Sequence, residues 1–219
     1  MSNQSENQLP IALPLAMTMA LSPLALDAYL PAFPALAESF GVGVHQVAFS
    51  ISIYVFVLAF GQLVGGPLSD RFGRSKVLLS GLGIFSFASF ALTQTTSLEG
   101  FVALRLVQAF GGGWATVCVP ATVRDKFSGR DAARLFSLIG LITIVAPAVA
   151  PSIGSLFRLF FGWPRIFIFL GSYALAMVLM MQFVVYARSP AAPPSHNPVS
   201  VWQRYRAVFQ VTPALRFLL

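Results

Sequence analysis

The chain has 219 residues, of which 57% are hydrophobic and only 10% are charged, and it contains 21 Phe residues. A soluble globular domain carries about 25% charged residues, so this composition excludes an ordinary soluble fold and indicates a membrane protein. The 14 basic and 7 acidic residues give a net charge of +7. Because the basic residues lie in short gaps between apolar runs, we expect no nucleic-acid partner. One Cys and two His residues exclude an intramolecular disulfide and argue against a metal site.

Six apolar runs of about 18 or more residues predict six transmembrane helices in a lipid bilayer. They cover residues 10–33, 46–68, 77–95, 100–123, 135–157 and 165–187. Beyond them a proline-rich linker and a basic amphipathic stretch lead to apolar residues that follow Pro213. We therefore predict an all-α membrane protein in which residues 1–187 form a six-helix bundle. Residues 188–219 are predicted to form a cytoplasmic loop and the start of a truncated seventh span.

The basic residues also predict the orientation of the chain in the membrane. Eleven Lys and Arg residues lie in the gaps and tail on one side, and only Arg158 and Arg165 lie on the other. Lys and Arg mark cytoplasmic loops. Both termini are therefore expected in the cytoplasm.

Two charged residues lie at membrane depth, Asp27 in the first span and Arg105 in the fourth. A charge in the hydrocarbon costs roughly 2.5–3.5 kcal/mol on insertion scales. Both residues lie near the outer ends of their spans, so we expect them to pair. A static ion pair that only locks two helices, or side chains that reach back to the interface, are the alternatives to a functional role.

One face of the predicted fourth span carries Arg105, Gln108, Gly112 and Thr116. This face either lines a water-filled cavity or makes a tight contact with another helix. With Tyr29 of the first span, its uncharged members are our candidate substrate contacts.

Small residues and prolines recur in the second and fifth spans. Gly61 and Gly65 form a G-x-x-x-G pair, which is a weakly specific signal of helix packing. In the fifth span Pro147, Pro151 and Gly154 share one face. Two prolines remove two backbone donors, which predicts a bend.

The segment GPLSDRFGRSK (66–76), between the second and third spans, resembles the signature loop of the major facilitator superfamily. Gly66 and Gly73 would permit close approach and unusual dihedral angles. Asp70, at a helix end, is placed to pair with Arg71 or Arg74 or to meet the N-terminus of another helix. An ordinary charged turn is the alternative interpretation.

Three further segments carry the same resemblance. DAYLPAFP (27–34) is similar to the first-span pattern of proton-coupled multidrug exporters, and RLVQAFGG (105–112) resembles their fourth-span arginine motif. APAVAPSIG (146–154) resembles the antiporter motif of the fifth span. Its Ala-Pro form is similar to the bicyclomycin and chloramphenicol resistance branch.

The resemblance implies one half of a twelve-span transporter of the bacterial inner membrane, which would work with a second six-helix half. The implied function is antiport, in which small amphipathic compounds leave the cell against protons, with the proton gradient as the energy source and no cofactor. Asp27 would be the protonatable acid, and Arg105 would modulate its affinity for protons. A charged cytoplasmic cluster would close the inward side. The conformational gate implied in this way comprises Gly66, Asp70, Arg71, Gly73, Arg74 and Asp125.

Two other functions stay open on the sequence alone. The six helices would also suit a membrane scaffold or assembly partner that transports nothing. A solute importer of the same superfamily is the other alternative, although the Pro147 and Pro151 motif favours an exporter. An enzyme is not expected, because the sequence contains no pairing of a nucleophile with a base and no set of metal ligands.

Overall fold

The computed structural model describes residues 9–186, and the predicted loop and seventh-span start at 188–219 lie outside the described residues. Within residues 9–186 the chain is helical and contains no strand. Six segments are long and apolar enough to cross a membrane, which confirms the predicted six-helix fold. From the first span to the sixth they are Ile11–Phe40, Val44–Phe72, Arg74–Leu92, Leu98–Lys126, Gly129–Phe161 and Pro164–Tyr186.

The first span is broken, and the break comes directly after Asp27. The helix Leu9–Asp27 ends there, a 3-10 turn covers Leu30–Ala32, and a second helix runs over Phe33–Phe40. Pro31 has no N–H to donate to the carbonyl of Asp27, and its ring conflicts with a continuing helix. The span was predicted to end at residue 33. It extends further because Pro34 lies in the first turn of the second helix, where proline is tolerated.

The fourth span is packed against its neighbours through glycines. A Cβ added at Gly111 would lie 2.7 Å from the carbonyl oxygen of Gly81 in the third span. One added at Gly61 in the second span would lie 2.8 Å from the carbonyl oxygen of Phe110. The backbones of three spans therefore approach closely, and the predicted packing role of Gly61 is confirmed.

The second and fifth spans are the least covered by the rest of the chain. Phe56 and Ile144, at mid-helix positions of these two spans, are 73% and 75% exposed. The sixth span ends in a π-helix over Met181–Tyr186, which the sequence did not lead us to expect.

Candidate functional site

Arg105 lies fully buried in a cage of uncharged groups near the break in the first span. Its Nη1 donates a hydrogen bond to Oε1 of Gln108 at 2.6 Å, and its Nη2 donates to the carbonyl oxygen of Ala25 at 3.1 Å. Its Cζ lies 4.2 Å from the ring centroid of Tyr29 and 4.1 Å from that of Tyr54. The guanidinium is thus held between two aromatic faces and two neutral acceptors.

The expected pairing of Asp27 with Arg105 is wrong in this structure. No ion pair of 4.0 Å or less joins Asp27 to any cation within residues 9–186. Ala25 is among the last residues of the helix Leu9–Asp27, where carbonyls lack intrahelical partners. That carbonyl takes the guanidinium hydrogen bond that the carboxylate was expected to accept, and Asp27 stays half-buried on its own.

Gly154 of the fifth span packs directly against the break that follows Asp27. A Cβ added at Gly154 would overlap the carbonyl oxygen of Ala28. Ala146 and Ala150 continue the same buried seam, with Pro147 and Pro151 beside it. The helix runs uninterrupted over Gly129–Phe161, so neither proline ends it. The first and fifth spans therefore meet one residue away from the Asp27 carboxylate.

The candidate substrate contacts are buried in the bundle, and the three that carry polar side chains make hydrogen bonds there. Tyr29 is hydrogen-bonded to Ser50 at 3.0 Å, and Nε2 of Gln108 donates to Oγ of Ser89 at 2.7 Å. Oγ1 of Thr116 donates to the carbonyl oxygen of Gly112 at 2.9 Å. Of the two alternatives for this face, the structure shows tight packing. Contact with a substrate stays a prediction for all four residues.

Tyr54 is the cage residue that the sequence analysis missed. It lies on the buried face of the second span, one turn after Ser50. Two polar residues four apart in a long apolar helix fall on one face. That spacing was the available signal that the face meets something polar.

The charged residues at the other end of the bundle do come together. Nε of Arg74 lies 2.7 Å from Oδ2 of Asp125, and its Nη2 lies 3.8 Å from Oδ1 of Asp70. These ion pairs connect the helices of the second, third and fourth spans. Arg71 is exposed and lies over the Phe72 ring at 5.2 Å.

The two glycines of this segment behave differently. Gly73 has φ +94° and separates two helices, as its predicted freedom requires. Gly66 lies inside the helix Val44–Phe72 and needs no unusual dihedral angle. A Cβ added there would come no closer than 4.0 Å, to Val117. The close approach and the unusual dihedral angle expected at Gly66 are therefore wrong in this structure, where Gly61 and Gly65 make the close approaches. The place of Gly66 in a conformational gate stays a prediction.

Within the described residues, no group of three or more His, Cys, Asp or Glu side chains is arranged to hold a metal ion. The expectation of no metal and no cofactor stays a prediction for the chain as a whole. A role of Asp27 in proton coupling stays a prediction.

Comparisons with known proteins agree on one family. The Major Facilitator Superfamily profile matches residues 15–219. The chain is 39% identical over 152 residues to a Pseudomonas aeruginosa protein named chloramphenicol resistance protein, covering 69% of this chain and 36% of that one. It is 34% identical over 183 residues to a Haemophilus influenzae bicyclomycin resistance protein homolog, covering 84% and 46%. It is 31% identical over 192 residues to the multidrug resistance protein MdtL of Escherichia coli, covering 84% and 49%.

Solved structures show the same fold at lower identity. A peptide transporter POT in complex with sulfate matches with a TM-score of 0.73 and 15% identity, covering 94% of this chain and 44% of that one. The proton:xylose symporter XylE matches with a TM-score of 0.73 and 16% identity, covering 82% and 45%. The chain spans about half the length of the curated relatives it matches, or less. With six membrane-length helices and a profile match over most of its length, the chain belongs to the major facilitator superfamily of membrane transporters.

Proposed function

We propose that the chain is one six-helix half of a proton-coupled exporter of small amphipathic compounds. The observation that carries the proposal is the position of Asp27 at a helix break, where its half-buried carboxylate forms no ion pair with any cation of residues 9–186. The contact between Gly154 and Ala28 lies one residue away. Relatives named for resistance to chloramphenicol, bicyclomycin and multiple drugs support the substrate class.

The coupling follows from general physics. A proton favours one conformation only if Asp27 binds it with different affinity in the inward-open and outward-open states. Any sliding of the fifth span against the first changes the surroundings of Asp27, because the two backbones are in contact beside it. One pKa unit of difference between the states is worth about 1.4 kcal/mol. A membrane potential adds about 2.3 kcal/mol per charge per 100 mV, and a substrate that binds the opposite state then moves against the proton.

A second six-helix half completes the transporter in this proposal. The exposed apolar faces of the second and fifth spans, which carry Phe56 and Ile144, are the surfaces available to it and to lipid. We further propose that the protein lies in the bacterial inner membrane with both termini in the cytoplasm. The basic residues around Arg74 and Arg130 support this orientation.

Cysteine labelling tests the orientation. The native thiol is first removed by Cys118→Ala, and single cysteines are then introduced as Ser97→Cys and Ser128→Cys, at exposed positions on opposite ends of the bundle. An impermeant thiol reagent added outside the cell should label position 97 and leave position 128 unlabelled. The reverse result would contradict the proposed orientation.

Asp27→Asn tests the coupling. Asn keeps the shape of the side chain but cannot titrate, so protonophore-sensitive efflux of chloramphenicol should be lost while membrane insertion stays normal. The assay uses cells that also express a second half from a relative. Glu38→Gln is the matched control, because Glu38 is exposed in the second helix of the same span and should leave efflux unchanged. Proton-driven efflux that survives Asp27→Asn would remove Asp27 as the coupling site.

Cells that express the 219-residue chain without a second half distinguish a half-transporter from a membrane scaffold that transports nothing. We expect no drug export from these cells, since in the proposed transporter the second half supplies the other side of the central site. Efflux restored by adding the second half supports the half-transporter. A chain that inserts stably but never supports efflux with any second half would favour the scaffold.

A further inference from the structure

The Arg105 cage contains a residue that neither the resemblance nor the proposed function uses. Cζ of Arg105 lies over the ring of Tyr54 at 4.1 Å and over the ring of Tyr29 at 4.2 Å. We infer that Tyr54 is a positioning residue whose ring holds Arg105 in an uncharged cage, away from the Asp27 carboxylate. The consequence for proton coupling rests on the proposed function, whereas the contact itself does not.

Two side chains of the cage, Tyr29 and Gln108, are oriented by hydrogen bonds whose donor and acceptor can be assigned. The hydroxyl of Ser50 donates to the carbonyl oxygen of Val47 at 2.6 Å, so Tyr29 must be the donor in its bond to Ser50. In the same way Ser89 donates to the carbonyl oxygen of Phe85 at 2.7 Å and accepts from Nε2 of Gln108. This leaves Oε1 of Gln108 turned toward Arg105.

Tyr54 differs from Tyr29 and Gln108 because its ring contacts Arg105 but no hydrogen bond within the described residues orients it. Its hydroxyl is buried and makes no hydrogen bond. The hydroxyl lies beside Gly112, where an added Cβ would be 3.6 Å from the hydroxyl oxygen, an ordinary van der Waals distance. A desolvated cation over an aromatic face is attracted by the ring quadrupole. The ring therefore contributes the positioning, and the hydroxyl does not.

The arrangement explains how a buried cation can leave a nearby acid unpaired. The charge of Arg105 is stabilised by two ring faces, a carbonyl and an amide oxygen. With Nη1 and Nη2 both engaged, moving the guanidinium to Asp27 would break two hydrogen bonds and two ring contacts. Removing the Tyr54 ring removes one of these two ring contacts, and it therefore lowers the free-energy cost of moving the guanidinium to Asp27.

Nitrogen-15 NMR of the purified 219-residue chain in nanodiscs tests the contact directly. The side-chain resonances of Arg105 are assigned by comparison with Arg105→Lys. Ring currents from two flanking aromatic faces move the guanidinium protons upfield. Tyr54→Phe should keep this upfield shift, and Tyr54→Leu should lose much of it. Loss of the shift in Tyr54→Phe, or retention in Tyr54→Leu, would overturn the inference.

A stability measurement supplies the second readout. Tyr54→Leu should raise the equilibrium constant for unfolding by about 30-fold more in the native background than in an Arg105→Met background, a difference of about 2 kcal/mol in the free energy of unfolding. If Tyr54→Leu does not fold, pentafluorophenylalanine at position 54 keeps the ring shape but reverses its quadrupole. It should destabilise the chain relative to Tyr54→Phe, and equal stability would contradict the inference.

These readouts do not depend on transport. If the assembled transporter with native Asp27 fails to export any drug, the proposed function fails while the NMR and stability results still decide the role of Tyr54. If export is proton-driven and the NMR shift is absent, the inference alone fails.

Discussion

Two arginines at opposite ends of the bundle are held in opposite ways. Arg105 is fully buried and contacts only uncharged groups. The side chain of Arg74 is 26% exposed and pairs with two carboxylates, Asp125 at 2.7 Å and Asp70 at 3.8 Å. Both residues belong to segments that resemble superfamily motifs, yet one is in a neutral cage and the other in an ion-pair cluster.

The difference follows from access to water. At the edge of the bundle an ion pair is worth little, because water and salt solvate both partners when they separate. Such contacts suit a gate that opens and closes. Inside the bundle a separated pair would leave buried charges uncompensated. The neutral cage offers the buried arginine two acceptors and two ring faces whatever the protonation state of Asp27, while its Nε makes no hydrogen bond within the described residues. Such a cage suits a permanent element of the site.

The largest effect is expected from removing Arg105, with removal of Arg74 as the comparison. Arg105→Ala leaves a void between two tyrosine rings and should lower the free energy of unfolding by about 3 kcal/mol. Arg74→Ala should cost at most about 1 kcal/mol. Unfolding in mixed detergent micelles, followed by circular dichroism, measures both. Equal losses would break the comparison between the two sites.

The second-largest effect is expected from removing the side-chain amide of Gln108, which accepts a hydrogen bond from Arg105. Gln108→Leu removes the acceptor at 2.6 Å and should cost about 1.5–3 kcal/mol, the range for hydrogen bonds to charged groups. Gln62→Leu is the matched control, because exposed Gln62 makes a longer, neutral bond to Thr116 at 3.3 Å. The same micelle assay should show a change below about 0.5 kcal/mol for Gln62→Leu. A control that costs as much as Gln108→Leu would show that the buried charge adds nothing.

A smaller change in stability is expected from alanine substitutions at Gly73 and Gly66, beside the charged cluster, and the two changes should have opposite signs. Gly73→Ala places a side chain at φ +94° and should destabilise the chain by about 1–2 kcal/mol. Gly66→Ala lies in an open helical position and should stabilise it by up to about 1 kcal/mol. Thermal melting of both variants gives the sign, and destabilisation by Gly66→Ala would restore the role predicted for that glycine.

The smallest effect concerns the ion pair itself. Asp125→Asn should lower stability by less than about 1 kcal/mol at low salt. The loss should vanish at about 1 M salt, where the Debye length is roughly 3 Å. Asp131→Asn removes the looser pair with Arg134 at 3.9 Å and serves as the control. A loss that persists in high salt would mean that the cluster is held by packing rather than by charge.

Much of the architecture was determined by the sequence by itself. Six membrane-length helices follow from runs of apolar residues, because hydropathy is a local property that sums along the chain. The pairing of Arg74 with Asp70 was also predictable, since a short turn joins their helices, whereas Asp125 was expected in the cluster only from the resemblance. Gly73 was expected to adopt an unusual dihedral angle, and it has one.

The partners of the membrane-embedded charges were decided only by the tertiary structure. Sequence placed Asp27 and Arg105 at one depth, but depth does not give the rotation of a helix about its axis. It also does not show that the break caused by Pro31 frees the carbonyl of Ala25 to accept from Arg105. The ring of Tyr54, from the second span, completes the cage around Arg105 of the fourth span. Matching heights in the membrane are therefore insufficient to predict a pair, because backbone carbonyls and ring faces compete with the carboxylate for the same cation.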